Sequence, residues 1–515
     1  MRNSILYALA FASGVLCDDA TFLSRPDLQP SLLNVTKNDD SDKLSDDYIF
    51  IAPWVPGEIP QAQTHIGPHI FTSDGELVWT GYGYLANSIA NFMPTKYNGE
   101  DAMSFYEGNV GDTGVGFGSY RLMDQSFDIK AKVGLKQPFL HDFHEFQMTG
   151  QHTAAFSTYH AVPYNFSDVD GATDDNKWVF ENIVTEIDVN TDEVLFQWNS
   201  LDHIHVNDSK VKDTLQSDGK DSNRPFDYMH LNSIEKDESG NFLISCRHLW
   251  SVYYIDGKSG EVIWTLGMSD GGSDWELEDV AEFGYQHHAR WVDPEVIGKD
   301  KEDDVKYISI FDNGKSGAAN TTPLRENPRG IILKLDSSDG ATSDKDKIGK
   351  VTLVQDFYPP EESDRSPSQG SVQVLSNGNV FIGWGSTPKV SEHTVDGTLI
   401  FAATINDGDH ESYRAFKGPF SGKPKDVPAL VSVYNEEDDK TKFYISWNGA
   451  TDVKSWNLYG GDAEDDMNEI KSGISNDKFE TTYEADGYYA YTKVEAVSSN
   501  GSTIDEGHAQ TYFQK

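Results

Sequence analysis

Four stretches of this chain carry one short pattern: a strand-forming run, a turn rich in Asp, Gly, Ser or Asn, and a second apolar run with an aromatic residue near its end. They are TSDGELVWT (72–80), DVNTDEVLFQW (188–198), IDGKSGEVIWTLG (255–267) and TVDGTLIFAA (394–403). Asp-Gly and Ser-Gly steps between apolar runs are hairpin signals, because those residues tolerate positive φ. Further strand–turn–strand runs occupy 144–160, 228–249, 288–314 and 370–385. Units that recur with the same internal order predict an all-β chain whose residues 48–424 form a six-bladed β-propeller, a closed ring that limits exposed sheet edges. A β-sandwich or solenoid is the competing arrangement.

Outside this core the character changes. Residues 1–17 carry Arg2 followed by an apolar run from Ile5 to Leu16, which reads as a secretory signal peptide too short to span a membrane. Residues 18–47 are acidic and aperiodic and read as a polar leader segment lying over the surface. After the Pro/Lys-rich stretch at 422–429, residues 430–515 alternate apolar and polar positions. With Trp447 as an early strand tryptophan, they resemble a fibronectin type III or immunoglobulin-like β-sandwich. Sequons at Asn34, Asn165, Asn207, Asn320 and Asn500 fit an exported glycoprotein. Cys17 lies at the expected cleavage point, which leaves Cys246 without a disulfide partner.

The charge balance excludes one class of function. With 84 Asp plus Glu against 41 Lys plus Arg, the net charge is −43, so no basic surface is available to displace counterions from nucleic acid. Several catalytic signatures fail. His144-Glu145 meets Met148 where a zincin helix needs its second histidine, and the Gly-Lys-Ser steps at 257–259 and 314–316 lack the first glycine of a phosphate loop. Gly81 to Ala86 matches a dinucleotide fingerprint, but nothing around it reads as a crossover helix. His203 and His205 share a strand face on paper and read as exposed loop histidines. No cofactor or metal is expected.

A set of histidines remains, each at the opening of a strand: Leu140-His141-Asp142-Phe143-His144, Tyr228-Met229-His230-Leu231-Asn232 and Gln286-His287-His288-Ala289-Arg290, with Ser245-Cys246-Arg247-His248 at the end of another. In a propeller, polar side chains from several inner strands converge on the central channel. The order H-x-N … S-x-R-H … W-x-L-G … Q-H … F-D-N-G over residues 48–424 resembles the arylsulfotransferase family, in particular its fungal-type branch. The resemblance implies transfer of a sulfuryl group from a phenolic sulfate ester to a phenol, without a nucleotide sulfate donor. It implies His287 as the histidine nucleophile, with His288 as the alternative. It implies His230 and Asn232 as oxyanion-binding groups, Arg247 as the arginine, and His141 as the fourth histidine, with His144 possible in its place. The disulfide expected in bacterial members has no counterpart here.

The residue types suit this chemistry. A neutral imidazole can attack sulfur and carry the sulfuryl group as a covalent intermediate. A guanidinium and neighbouring donors stabilise the three sulfuryl oxygens. A protonated histidine can serve the departing phenolate. The expected partners are therefore a small phenolic sulfate donor and a phenol acceptor, with no nucleic acid and no stable membrane insertion. Two alternatives stand beside the enzyme: a non-catalytic extracellular propeller that binds a wall polymer or a protein, and, more weakly, a quinone-cofactor propeller suggested by the run at 260–264.

Overall fold

The run Tyr48–Trp54, YIFIAPW, is apolar without alternation, and its strand is buried on both faces. Ile49 and Ile51 pack with Phe71 and Ala415, whereas Phe50 and Ala52 point the other way, against Ile70 and Trp79. Fully burying a side chain of this size contributes about 1.5–3 kcal/mol. This two-sided burial recurs through the six antiparallel sheets that follow. The computed structural model describes residues 21–513 except 40, 55–66, 83–87, 112, 135, 137–138, 212–217, 318–322, 343, 345 and 406–409. The expected signal peptide and the sequon at Asn320 lie outside the described residues.

The first sheet orders Glu411–Gly418, Tyr48–Trp54, His69–Phe71 and Leu77–Thr80; the second, Ser88–Tyr97, Glu100–Val110, Gly116–Asp124 and Ile129–Lys132. The third runs Phe146–Met148, Thr153–Pro163, Trp178–Asp188 and Val194–Asn199, and the fourth Leu231–Lys236, Phe242–Cys246, Ser251–Ile255 and Val262–Gly267. The fifth begins His287–Trp291, Val305–Asp312, Arg329–Asp336 and Gly349–Phe357, with Trp275–Leu277 added in parallel at its far edge. The sixth begins Ser371–Val374, Val380–Gly383, Lys389–His393 and Leu399–Ile405. The repeated turn pattern falls between the third and fourth of these strands in the first, third, fourth and sixth sheets. Five apolar clusters each join one sheet to the next in sequence, and a sixth joins the sixth sheet to the first.

The acidic leader differs from its expected course over the surface. Leu33–Asn38 pairs antiparallel with Leu399–Ile405 and becomes the edge strand of the sixth sheet. Its burial pattern, one inward leucine and otherwise mostly exposed polar groups, is that of a strand that blunts an edge.

Residues 429–513 build two further four-stranded sheets around Leu430, Phe443, Ile445, Trp456, Leu458, Val494 and Ala496. Trp456, 1% exposed, is the core tryptophan. Trp447 instead follows its strand, only partly buried, and donates its indole N–H to Asp426 O at 2.7 Å. This pair of sheets contacts the first sheet through Asn448. The Asn448 amide accepts from Thr80 N at 2.9 Å and donates to Thr80 O at 3.0 Å, so a side chain replaces the missing neighbour of an edge strand.

Candidate active site

The histidine-bearing segments enter the first strands of different sheets from the same end. His144 precedes Phe146–Met148, His230 precedes Leu231–Lys236, His287 opens His287–Trp291, Gln369 precedes Ser371–Val374, and Tyr413 lies early in Glu411–Gly418. Arg247 and Asn313 follow the second strands of the fourth and fifth sheets, which run antiparallel and so end on the same side. The His144 and His230 rings lie 4.6 Å apart, as do those of His230 and His248. Tyr413 stands 5.5 Å from the ring of His144 and 6.3 Å from that of His287.

Each imidazole is fixed by its Nδ1. That of His144 bonds Asp142 Oδ2 at 2.6 Å, that of His230 bonds Asp227 Oδ2 at 2.5 Å, and that of His248 bonds the Asp227 carbonyl at 2.6 Å. His287 Nδ1 lies 2.7 Å from Asn313 Oδ1. An amide oxygen only accepts, so His287 carries its proton on Nδ1 and its lone pair on Nε2. The loop 366–369 ties this group to the guanidinium. Gln369 N–H reaches His287 Nε2 at 3.3 Å, Asn313 Nδ2 donates to Ser366 O and Gln369 O, and Arg247 Nη2 donates to Pro367 O at 3.0 Å. Arg247 also lies over the Tyr285 ring, 5.1 Å from its centroid, and its Nε–H has no partner among the described residues.

Below the histidines lies a buried ion cluster. Glu145 and Arg414, both fully buried, pair at 3.1 Å; Arg290 joins on the same carboxylate, and Arg414 also donates to Asn232 O at 2.5 Å. Side chains from the third, first and fifth sheets therefore meet at one carboxylate. Breaking such a buried pair from one side typically costs about 3–5 kcal/mol.

Burial dominates the electrostatics above this floor. It pushes the imidazoles of His230, His248 and His287 well below the ordinary histidine range, and the nearby Arg247 charge lowers all three further. His287 also feels His230 and His144. Burial lowers Arg247 to about 10, which leaves it cationic at neutral pH, and raises the Asp227 carboxyl. The cluster thus presents a neutral imidazole beside a fixed cation.

Backbone strain concentrates here. His230 (φ 53°), Trp250 (φ 51°), Tyr285 (φ 55°), His288 (φ 55°) and Gln369 (φ 66°) are non-glycine residues in the left-handed region, a conformation that costs on the order of 1–3 kcal/mol each. At His288 it coincides with a register shift between His287 and Arg290 in the pairing with Val305–Asp312. Bulges of this kind re-aim side chains. His287 faces the cluster, whereas His288 turns away, its Nδ1 3.0 Å from Val372 O.

Of the residues marked in the sequence, His144, His230, Arg247 and His287 come together. His141 does not: its ring stacks on Phe156 with centroids 4.0 Å apart, and burial pushes its pKa to about 4. Gly134, at φ +66°, leaves the space for it, since a Cβ there would collide with the imidazole. Asn232 reaches the site through its amide. Nδ2 donates to Gln286 O at 2.6 Å, which steadies the peptide leading into His287 and commits one of the two donors expected to hold sulfuryl oxygens. His203 stacks on Trp198 at 5.2 Å, away from the cluster. The sequence motifs contain Asp142 and Asn313 without giving either a role, and Asp227 and Tyr413 were not singled out. The Tyr413 hydroxyl is buried and has no partner among the described residues.

Asp227, His230 and His248 offer ligand atoms that all lie within 4.8 Å of one another, a spacing that could hold a metal ion. Arg247 Nη1 stands 2.7 Å from His248 Nε2, however, and a cation so close opposes a second one. The donor set suits hydrogen bonding within itself better than a metal.

The family model for Arylsulfotransferase (ASST) matches residues 93–406, more than half of the chain. The chain belongs to the arylsulfotransferase family. All the clustered residues named above except Tyr413 and Arg414 fall within the match, and membership supports an arylsulfotransferase-like function. No curated protein matches this member of the family. Among solved structures it is similar to a protein of unknown function from Bacteroides caccae, at 11% identity over 72% of this chain and 99% of that one, with a TM-score of 0.36. Hydrazine synthase from Kuenenia stuttgartiensis matches at 10% identity over 77% and 100%, with a TM-score of 0.31. An Fn3-like protein from Clostridium thermocellum matches at 24% over 18% and 94%, with a TM-score of 0.14. At these TM-scores none of the three bears on the chemistry.

Proposed function

We propose that this arylsulfotransferase-family chain moves a sulfuryl group from a phenolic sulfate ester to a phenol through a sulfohistidine at His287. The observation that carries the reading is the hold of Asn313 on His287 Nδ1, which leaves Nε2 as a neutral nucleophile beside Arg247. In the first half-reaction Nε2 forms a bond to sulfur as the sulfur–aryl oxygen bond breaks. The positive charge left on the ring is shared through Nδ1–H with the Asn313 carbonyl. The departing phenolate takes a proton from His144, which Asp142 orients like the base of a catalytic pair. Arg247 holds the sulfuryl oxygens. In the second half-reaction the acceptor phenol returns a proton to the same imidazole, its oxygen bonds sulfur, and the nitrogen–sulfur bond breaks.

In this reading the six sheets are the blades of a β-propeller of the fungal-type branch, with the site at one mouth of its channel, and residues 430–515 are a fibronectin III-like module. The signal-like segment 1–17 and the sequons support export. Asn34, Asn165 and Asn500 are exposed, and Asn207 is half-buried. The deciding experiment incubates wild type and His287→Ala with 4-nitrophenyl sulfate and a phenol. Nitrophenol release by wild type alone is the expected result. The same null result from both proteins would leave the non-catalytic binder as the better reading.

A further inference from the structure

One short segment of chain occupies both groups that a sulfuryl group has to meet. Gln369 N–H is directed at His287 Nε2 from 3.3 Å, and Pro367 O accepts from Arg247 Nη2 at 3.0 Å. Arg247 Nη2 also donates to Ser316 Oγ at 3.3 Å, and Nη1 stands 2.7 Å from His248 Nε2. Asn313 Nδ2 donates to two carbonyls of the segment, which turns its oxygen towards His287 Nδ1 and leaves the ring one lone pair, at Nε2. Reacting atoms come to within about 3–3.5 Å before a bond forms. Sulfur approaching that lone pair therefore needs the place that Gln369 N fills, and a sulfuryl oxygen on Arg247 Nη2 needs the place of Pro367 O. His287 is 1% exposed and Arg247 5%, so the site is shut.

Polar bonds alone hold the segment down. Residues 361–369, EESDRSPSQ, supply no member of the apolar clusters. At the outer end, the two oxygens of Asp364 accept from Lys389 Nζ at 2.7 and 2.9 Å, and the Thr387 hydroxyl donates to Arg365 O. At the inner end, Gln369 Nε2 donates to Glu411 Oε2 at 2.5 Å. Gln369 is strained at φ 66°, and Gly370 beside it sits at φ 111°, a conformation that glycine adopts freely. Lifting the segment thus uncovers no core, releases strain and turns on a glycine. A sulfate oxygen carries charge that a peptide carbonyl lacks, so it is the stronger acceptor for a guanidinium and displaces Pro367 O from Arg247.

We propose that residues 364–369 form a strap that closes the site at rest and swings off His287 and Arg247 when the sulfate ester binds. The inference rests on the reading of those two residues as nucleophile and sulfuryl holder. The strap keeps the imidazole from other electrophiles until an anionic group claims the guanidinium.

Ser366 Oγ and Ser386 Oγ lie 3.3 Å apart, so the double variant Ser366→Cys/Ser386→Cys can be oxidised to a disulfide that holds the strap down. Opening is read by ethoxycarbonylation of His287 with diethyl pyrocarbonate and peptide mass spectrometry, which needs no sulfuryl transfer. Buried His141 is the internal reference for global unfolding. Oxidation of the double variant should slow labelling of His287 about tenfold, and reduction, with the reductant then removed, should restore the wild-type rate. Lys389→Met unlatches Asp364 and should raise the rate severalfold relative to His141. Equal labelling of His287 in the oxidised and reduced forms, or none in either, overturns the proposal. If the cysteines do not pair, Lys389→Met decides, and an unchanged rate there overturns it. Turnover of 4-nitrophenyl sulfate tells the two readings apart. Turnover that ignores the disulfide removes the strap and keeps the transfer, whereas labelling that follows the disulfide without turnover in any form keeps the strap and removes the transfer.

Discussion

Arg247 acts on His287 in two ways that a pH profile separates. It stabilises developing negative charge on the sulfuryl group, and its own charge helps hold the His287 imidazole below the ordinary histidine range. Transfer needs the neutral ring, so the acid limb of kcat/KM in wild type lies below about 6.5. Arg247→Ala should lower kcat about 10²–10³-fold. Removing the cation also lets the His287 pKa rise, so the acid limb should move to higher pH; a limb that stays in place shows that another group controls it. Tyr413 gives a cleaner separation of roles. Its hydroxyl is buried without a partner among the described residues, so Tyr413→Phe removes an unsatisfied group and should leave the thermal midpoint unchanged or raised. A fall in kcat alongside that midpoint marks the hydroxyl as a substrate contact, whereas unchanged turnover marks it as packing. Tyr413 was invisible in the sequence because it is one of 24 tyrosines and stands in no motif. His230, Arg247 and His287 were legible because short fixed spacings set them apart. The choices between His141 and His144, and between His287 and His288, were not, since one turns on an irregular loop and the other on a bulge, neither of which follows a side-chain period.

At the level of elements, turn chemistry and apolar runs carried most of the information. The Asp-Gly and Ser-Gly hairpins fall where the sequence puts them, because positive φ there has few other solutions. Leu33–Asn38 was missed because an edge strand needs only one buried side, and here only Leu33 is buried. Its role is nevertheless specific: it covers backbone groups of Leu399–Ile405 that would otherwise be free to pair with another chain. Deleting residues 21–38 should therefore lower the thermal midpoint and produce concentration-dependent association, read by light scattering. A deleted form that stays monomeric with an unchanged midpoint would show that the strand adds no protection.

Across the whole molecule, a net charge of −43 sets a long-range field that repels an anionic sulfate ester and leaves a neutral phenol unaffected. Screening weakens that repulsion: the Debye length is roughly 30 Å at 0.01 M salt and about 10 Å at 0.1 M. Raising ionic strength across this range should increase kcat/KM for the sulfate donor severalfold while leaving the phenol dependence flat. Opposite or equal responses would mean that local charges around the His287 cluster outweigh the global field. The first sheet has a different consequence. Its first strand, Glu411–Gly418, bonds to Tyr48–Trp54 across some 360 positions, from Ser412 to Ala52, and it brings both Tyr413 and Arg414. A nascent chain can thus lay down every histidine of the site and still lack one of the two arginines that pair with Glu145. Synthesis that stops short of residue 414 leaves that buried carboxylate with Arg290 alone, which makes completeness of the polypeptide a precondition for the full ion cluster beneath the site.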